Sequence, residues 1–351
     1  MKNIKIGNKL IGDQHPCYTI AEIGSNFDRS LAKAKRLIDL AIESGADAVK
    51  FQSFKAENLV NDDCFKNLKI GYQLNWDKSV FDVYKNAEFP VEFHKDIFDY
   101  CQSKKIEFFS APYDKESVDF LDKLGVKVFK IGSGDITWLE NIEYIAKKNK
   151  PILLATGASD VFQIDRAMKV IRSAGNNQIV LMQCVTNYPA SFNEINLKVL
   201  PMFREKFDCL VGYSDHSPGT SVAIGTVAMG GCVIEKHFTD DKSQHGPDHS
   251  FAMDPKDFRK MVDDIRHMEK ILGKPQKIIY DEEKPQYVSM KRGLKAKISV
   301  AKGTILKREH INVLRPCQEN TVPADKLNEV LGKTLSIDLE INKPIKFEYF
   351  K

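Results

Sequence analysis

The amino-acid sequence predicts an eight-stranded β/α barrel followed by a small β-rich domain. Two observations carry that prediction. Up to Leu272, short apolar, β-branched runs alternate with amphipathic helical stretches, eight of each, and beyond Leu272 the chain turns to short β-prone runs broken by turns. Alternating β and α elements imply a parallel sheet, because each crossover passes over the sheet through a helix. Eight such units in about 250 residues is the usual size of a closed barrel. An open doubly wound sheet is the alternative, and the missing GxGxxG turn after the first strand argues against it.

Taken in order, the opening KIGNKLIG reads as a small hairpin closing the barrel bottom. Strands are predicted at 18–23, 48–52, 107–110, 127–131, 152–155, 179–183, 210–213 and 233–237. Helices are predicted at 30–44, 91–104, 115–124, 138–148, 161–173, 197–206, 220–229 and 255–272. One connection is long, from Phe54 to about Pro90, and carries Tyr72, Trp76 and Tyr84. An insertion of that length after a strand reads as an active-site lid. The barrel is thus expected over 1–274, a polar, proline-containing linker over 275–287, and the small domain over 288–351.

Composition narrows the function classes. The 52 basic and 48 acidic residues nearly cancel, and no basic block or basic–aromatic ladder appears, which argues against nucleic acid as a partner. No apolar run is long enough to span a membrane, and the N-terminus lacks the apolar core of a secretory signal. The seven cysteines are scattered without a CxxC pair, which suits reduced thiols in a cytoplasmic protein.

In a barrel, side chains at the C-terminal ends of the strands face the catalytic mouth. Those positions hold Glu22, Lys50, Gln52, Ser110, Lys130, Ser133, Thr156, Gln183, Tyr188, Asp215, His216, Glu235 and His237. A single strand-end lysine is ordinarily a solvated cap, and a lone histidine ordinarily a satisfied surface or core group. The joint pattern says more. Lys50 in AVKFQ and Lys130 in VFKIGSGD follow apolar residues, and a buried ammonium needs an anion or a carboxylate. His216 in GYSDHSPG and His237 in VIEKHF fall on adjacent strands, near Glu22 on the first. Two histidines with a carboxylate and open positions suit a divalent transition metal such as Mn²⁺, with Mg²⁺ or Co²⁺ as alternatives, rather than a closed structural zinc site. Asp248, in SQHGPDHS, reads either as a sugar-hydroxyl or proton-transfer residue or as a turn aspartate.

The strings IAEIGSN, ADAVKFQ, FFSAPYD, FKIGSGD, LATGAS, NYPAS, GYSDHSPG, VIEKHF and GPDH, in this order, resemble the sialic acid synthase family, which includes the bacterial N-acetylneuraminate, legionaminate and pseudaminate synthases. ISVAKGTIL, INVLRP and LGKTLSIDLEINKPI resemble its C-terminal SAF, or antifreeze-like, domain. The resemblance implies condensation of phosphoenolpyruvate with the open-chain aldehyde of an N-acetylated hexosamine, giving a nine-carbon 2-keto sugar acid and phosphate. It implies that His216 and His237 hold the metal, and that Lys50, Lys130, Ser133 and Ser214 bind phosphoenolpyruvate. It assigns the attacking water to Glu22 and support of the site to Glu235. Gln52 and Thr186 join the substrate-binding set, and Tyr188 and Asp248 contact the sugar. It implies a homodimer whose SAF domain covers the partner barrel, bringing Arg315 to the sugar's N-acetyl group.

Departures from the family pattern fall on loops and strand ends. Phe27 stands where a histidine is usual, Ala111 where a threonine is, Ala155 where a serine is, and CQENTVP follows Arg315-Pro316. The chain therefore leaves open which sugar is used and how far Arg315 reaches. The alternatives are another phosphoenolpyruvate–aldose synthase, of the octulosonate or heptulosonate type, and a Schiff-base pyruvate aldolase using Lys130 or Lys236.

Overall fold

The computed structural model describes residues 2–66, 68 and 71–351, with backbone alone at 72 and 75, so the Tyr72 side chain lies outside the described residues. The chain enters through a hairpin, β1 (Asn3–Ile6) against β2 (Lys9–Gly12). Its turn needs Gly7, whose φ is +55° and whose missing Cβ would collide with the Glu107 carboxylate. Glu107 begins a barrel strand, so the hairpin caps the N-terminal end of the sheet, as its sequence suggests.

Eight parallel strands follow: β3 (Tyr18–Glu22), β4 (Ala48–Ser53), β5 (Glu107–Pro112), β6 (Phe129–Ile131), β7 (Ile152–Ala155), β8 (Ile179–Cys184), β9 (Leu210–Asp215) and β10 (Val233–His237). They are ordered β5-β4-β3-β10-β9-β8-β7-β6. Neighbours in this order are consecutive in the chain except β3 and β10, the first and last barrel strands, which pair directly. A doubly wound sheet instead reverses its order at a switch point. β5 and β6, at the two ends of the order, lie against each other and bring the ring round.

Several of the helices start where a side-chain cap satisfies their first free N–H groups. α1 (Leu31–Glu43) is capped by Ser30. In the long connection lie α2 (Ala56–Leu59), α3 (Asp62–Phe65) and α4 (Val80–Ala87), the last capped by Ser79. Next come α5 (Val91–Lys104), α6 (Lys115–Leu124) capped by Asp114, and α7 (Leu139–Ala146). α8 (Val161–Ser173) opens with an Asp160–Gln163 capping box, and α9 (Val199–Phe207) and α10 (Ser221–Ala228) follow. α11 (Pro255–Leu272) combines an Asp254 cap with proline at its first position. Their apolar faces bury Leu37, Ile97, Leu121, Ile171 and Phe258 against strand residues such as Val49, Phe108, Leu153 and Ile234, in one continuous core.

Two compact units result, residues 1–273 and 274–351. The linker expected over 275–287 is partly structured and belongs to the second unit. α12 (Lys284–Met290) starts inside that span, with Pro285 tolerated in its first turn. The second unit pairs β11 (Gly293–Ala296) with β12 (Ile311–Leu314) and encloses its own small core of Leu294, Leu306, Val322, Leu335 and Ile345. Among the described residues, no helix is long and apolar enough to cross a membrane.

Candidate active site

Strand register decides which side chains meet. His237 stands opposite Glu22, Glu22 opposite Lys50, and Glu235 opposite Ser214. Side chains alternate along a strand, so Ser214 and His216 face one way and Asp215 the other, while Glu235 and His237 face one way and Lys236 the other. A cavity of about 430 Å³ opens at these strand ends. Glu22, Lys50, Gln52, Lys130, Ser133 and Ser214 line it, together with Thr186, Tyr188, His216, Glu235, His237 and Asp248. Of the remaining strand-end residues, Ser110, Thr156, Gln183 and Asp215 lie outside that lining; Ser110 is bonded instead to Ser53 (2.7 Å), which also meets His94.

Two lysines and two glutamates form one buried network. Lys50 Nζ lies 3.0 Å from Glu22 Oε2 and 3.3 Å from Glu235 Oε1. Lys130 Nζ lies 2.7 Å from the same Glu235 oxygen, which also accepts from the Ser214 hydroxyl at 3.1 Å. Gln52 Nε2 donates to Glu22 Oε1 at 2.7 Å. Burial pushes the Glu235 carboxyl up, but Lys130 and Lys50 outweigh that effect and hold it well below the usual carboxylate range. Lys50, also disfavoured by burial, is carried above its ordinary value by Glu22 and Glu235. Lys130 ends below its ordinary value, because burial and the charge of Lys50 exceed what Glu235 returns. An incoming anion would relieve that deficit, so the network is suited to receive one.

Beside it, the turn after β6 meets the loop after β7. Ser133 Oγ accepts the Gly157 N–H at 3.0 Å, an approach only glycine allows, since a Cβ at 157 would lie 2.8 Å from that oxygen. On the other side, the His216 and His237 rings lie 5.5 Å apart. His216 Nδ1 donates to the Val185 carbonyl at 2.9 Å, and burial with the neighbouring His237 holds its pKa down to about 3. The ring is therefore neutral, with Nε2 left as a lone-pair donor, the state a metal ligand needs. Among the described residues, His237 Nδ1 is buried without a hydrogen-bond partner. These two imidazoles fit a divalent cation, although the described residues contain no cluster of three or more metal-ligating side chains. Tyr188 packs on His216 at 4.0 Å, and Phe251 on His237 at 5.0 Å. Asp248 Oδ2 accepts from the Ser25 hydroxyl at 2.8 Å.

The long connection does line the cavity, through Leu59, Trp76, Val83, Tyr84 and Ala87. Three residues weighed in the sequence stand as follows. Phe27 is fully buried, edge-on to Phe89 at 5.1 Å and to Phe51 at 6.0 Å, so it fills core rather than meeting substrate. Lys236 points away from the cavity and is locked to Asp215 Oδ2 at 2.7 Å, which removes it as a Schiff-base candidate. Arg315 belongs to the second unit, where its guanidinium lies 3.8 Å from the Met290 sulfur. Residues not singled out from the sequence also line the cavity, among them Ser25, Tyr113, Asp135 and Cys184. Asp135 was legible within FKIGSGD, two residues past Ser133 on the same turn. Tyr113 lies beyond its strand's end, where no alternation announces its direction.

Comparison with known proteins follows the same division of the chain. The NeuB family model matches residues 37–277 and the SAF domain model residues 291–350. The N,N'-diacetyllegionaminic acid synthase of Campylobacter jejuni is 40% identical over 319 residues, covering 90% of this chain and 94% of the relative. That of Legionella pneumophila is 37% identical over 353 residues, covering 98% of each. The crystal structure of N-acetylneuraminic acid synthetase from Leptospira borgpetersenii, in complex with citrate, superposes with a TM-score of 0.72 at 30% identity, covering 81% of this chain and 95% of that one.

Proposed function

The chain belongs to the NeuB family, and on that premise we propose that it condenses phosphoenolpyruvate with an open-chain N-acetylated hexosamine, yielding a nine-carbon 2-keto sugar acid and inorganic phosphate. The observation that carries this reading is the buried network of Lys50, Lys130, Glu22 and Glu235 beside Ser133 and Ser214. Phosphoenolpyruvate bears a carboxylate and a phosphate of about −1.5 to −2 charge. Two buried ammonium groups, one of them under-compensated, match such a ligand, and prepositioned cations are usually the largest catalytic term.

Lys50, Lys130, Ser133 and Ser214 bind and orient the phosphoenolpyruvate anion, with Gln52 and Thr186 completing the pocket. The C3 carbon attacks the aldehyde carbon, whose oxygen takes up a proton, and the resulting cationic C2 is captured by water. Glu22 orients that water and accepts its proton, a role supported by Gln52 on one of its oxygens and Lys50 on the other. Breaking the C2–O bond to phosphate, with the C2 hydroxyl proton passing to the departing phosphate, then leaves the ketone. Glu235 holds both lysines in register, while Tyr188 and Asp248 contact the sugar. His216 and His237 would hold a divalent metal, Mn²⁺ in the first instance; when bound, it supplies Lewis-acid polarisation of the aldehyde. Arg315 would reach the sugar's N-acetyl group from a neighbouring subunit in a homodimer, in a cytoplasmic enzyme.

The test is phosphate release from phosphoenolpyruvate with Mn²⁺ and a panel of sugars: N-acetylmannosamine, its 6-phosphate and a di-acetamido trideoxyhexose. Phosphate should appear only when phosphoenolpyruvate and one of these sugars are both present. Release with erythrose 4-phosphate or arabinose 5-phosphate instead would sink the assignment.

A further inference from the structure

One wall of the cavity carries two polar groups that the proposed chemistry leaves unused. Tyr113, just past β5, and Asp135, in the turn after β6, both line it. Among the described residues, neither the Tyr113 hydroxyl nor the Asp135 carboxylate has a hydrogen-bond partner. Both are held in place all the same. The Tyr113 backbone N–H donates to the Ser53 carbonyl at 3.2 Å, and its ring stands edge-on to Phe54 at 5.6 Å. Its hydroxyl lies over Gly132, where a Cβ would come within 3.4 Å of it. Asp135 is fixed by its turn, its N–H donating to the Gly132 carbonyl at 3.1 Å. Burial pushes the Asp135 carboxyl up to about 6, and no cation among the described residues offsets the effect.

The charge balance of the lining bears on what can sit there. The described residues of the cavity include two lysines, Lys50 and Lys130, against four carboxylates, Glu22, Asp135, Glu235 and Asp248. Both lysines are engaged with Glu22 and Glu235, and on the reading above they also receive phosphoenolpyruvate. Among the described residues of this lining, no lysine or arginine is left for a second phosphate, which would meet Asp135 or Asp248 at close range.

We propose that the acceptor sugar is unphosphorylated, and that Tyr113 and Asp135 together grip one neutral substituent that both donates and accepts a hydrogen bond, a hydroxyl or an acetamido group. Asp135 accepts from its O–H or N–H, and the Tyr113 hydroxyl donates to its oxygen. Tyr113 is thereby a specificity-determining residue, because a sugar lacking the substituent leaves two cavity groups unpaired. This rests on the synthase reading above.

The experiment measures steady-state kinetics of the full chain with Mn²⁺, phosphoenolpyruvate and each sugar of the panel. The 6-phosphate should show a kcat/KM at least about tenfold below that of the better neutral sugar. Tyr113→Phe keeps the ring and should raise the KM for that sugar about three- to tenfold while the phosphoenolpyruvate KM moves less than about twofold. Asp135→Asn serves as the second variant, with the same split expected. Whichever neutral sugar loses more identifies the substituent as hydroxyl or acetamido, and either result supports the proposal. Equal or better use of the 6-phosphate overturns it while leaving the synthase reading intact. So does a Tyr113→Phe effect that is absent or falls on phosphoenolpyruvate. No turnover with any of these sugars overturns both.

Discussion

Asp135 shows how a single side chain can be held at a cost to the fold. Its carboxyl is pushed up to about 6 by burial, above its unfolded value near 3.8. A raised acid of this kind destabilises the folded state progressively as the pH rises from the unfolded to the folded pKa and fully above it, because the unfolded chain ionises more readily than the buried carboxyl. Below about 4 it is protonated in both states and the penalty vanishes. Asp135→Asn should therefore raise the melting temperature above pH 6, with the gain fading as the pH falls from 6 to 4. A gain of equal size at pH 4 would show that charge burial is not its cause. Lys50, Lys130 and Glu235 are different: each charge there has a partner, and the under-compensated one, Lys130, awaits an anion. Strain on one residue and readiness in another both come from burial.

At the scale of elements, the two proposed metal ligands sit at the ends of adjacent strands, each next to one half of a buried ion pair. Lys236 and Asp215 are 2% and 0% exposed, 2.7 Å apart, on the opposite face from His237 and His216. Lys236 also donates to the Ser217 and Gly219 carbonyls, so it ties down the loop that carries His216 away from β9. Lys236→Met should cost about 3–5 kcal/mol, as expected when one partner of a buried pair is removed. Adding Asp215→Asn should recover part of that loss. Chemical denaturation measures both, and a single variant as stable as the wild type would show that the pair does not hold the two strands together. This clamp was hidden in the sequence. Strand alternation says that Lys236 faces away from Glu235 and His237, but only the register of β10 against β9 shows that Asp215 meets it.

For the whole molecule, the barrel and the C-terminal unit each have their own core. The site assembled on the barrel contains every residue to which the family resemblance gives a role except Arg315, which lies in the other unit. If that unit serves as a lid shared between subunits, truncation at Lys284 should leave a folded barrel that no longer condenses the sugar. A monomeric truncated barrel with full activity would refute the shared lid. The long connection after β4 belongs to the barrel's own site, where its Trp76 and Tyr84 line the cavity with Tyr113.

Much of this is legible in the order of residues alone. Strict alternation of apolar runs with amphipathic helices determined the parallel barrel, and strand-end positions located Glu22, Lys50, Lys130, Glu235, His216 and His237, because the C-terminal ends of barrel strands converge whatever the loops do. Tertiary structure decided what lies past those ends. Tyr113 and Asp135 could not be assigned to one wall, nor Phe27 to the core, because loop directions depend on packing that local periodicity does not encode. The same holds for charge. The sequence by itself showed two lysines that needed anions; only their distances revealed that Lys50 meets both Glu22 and Glu235 while Lys130 meets Glu235.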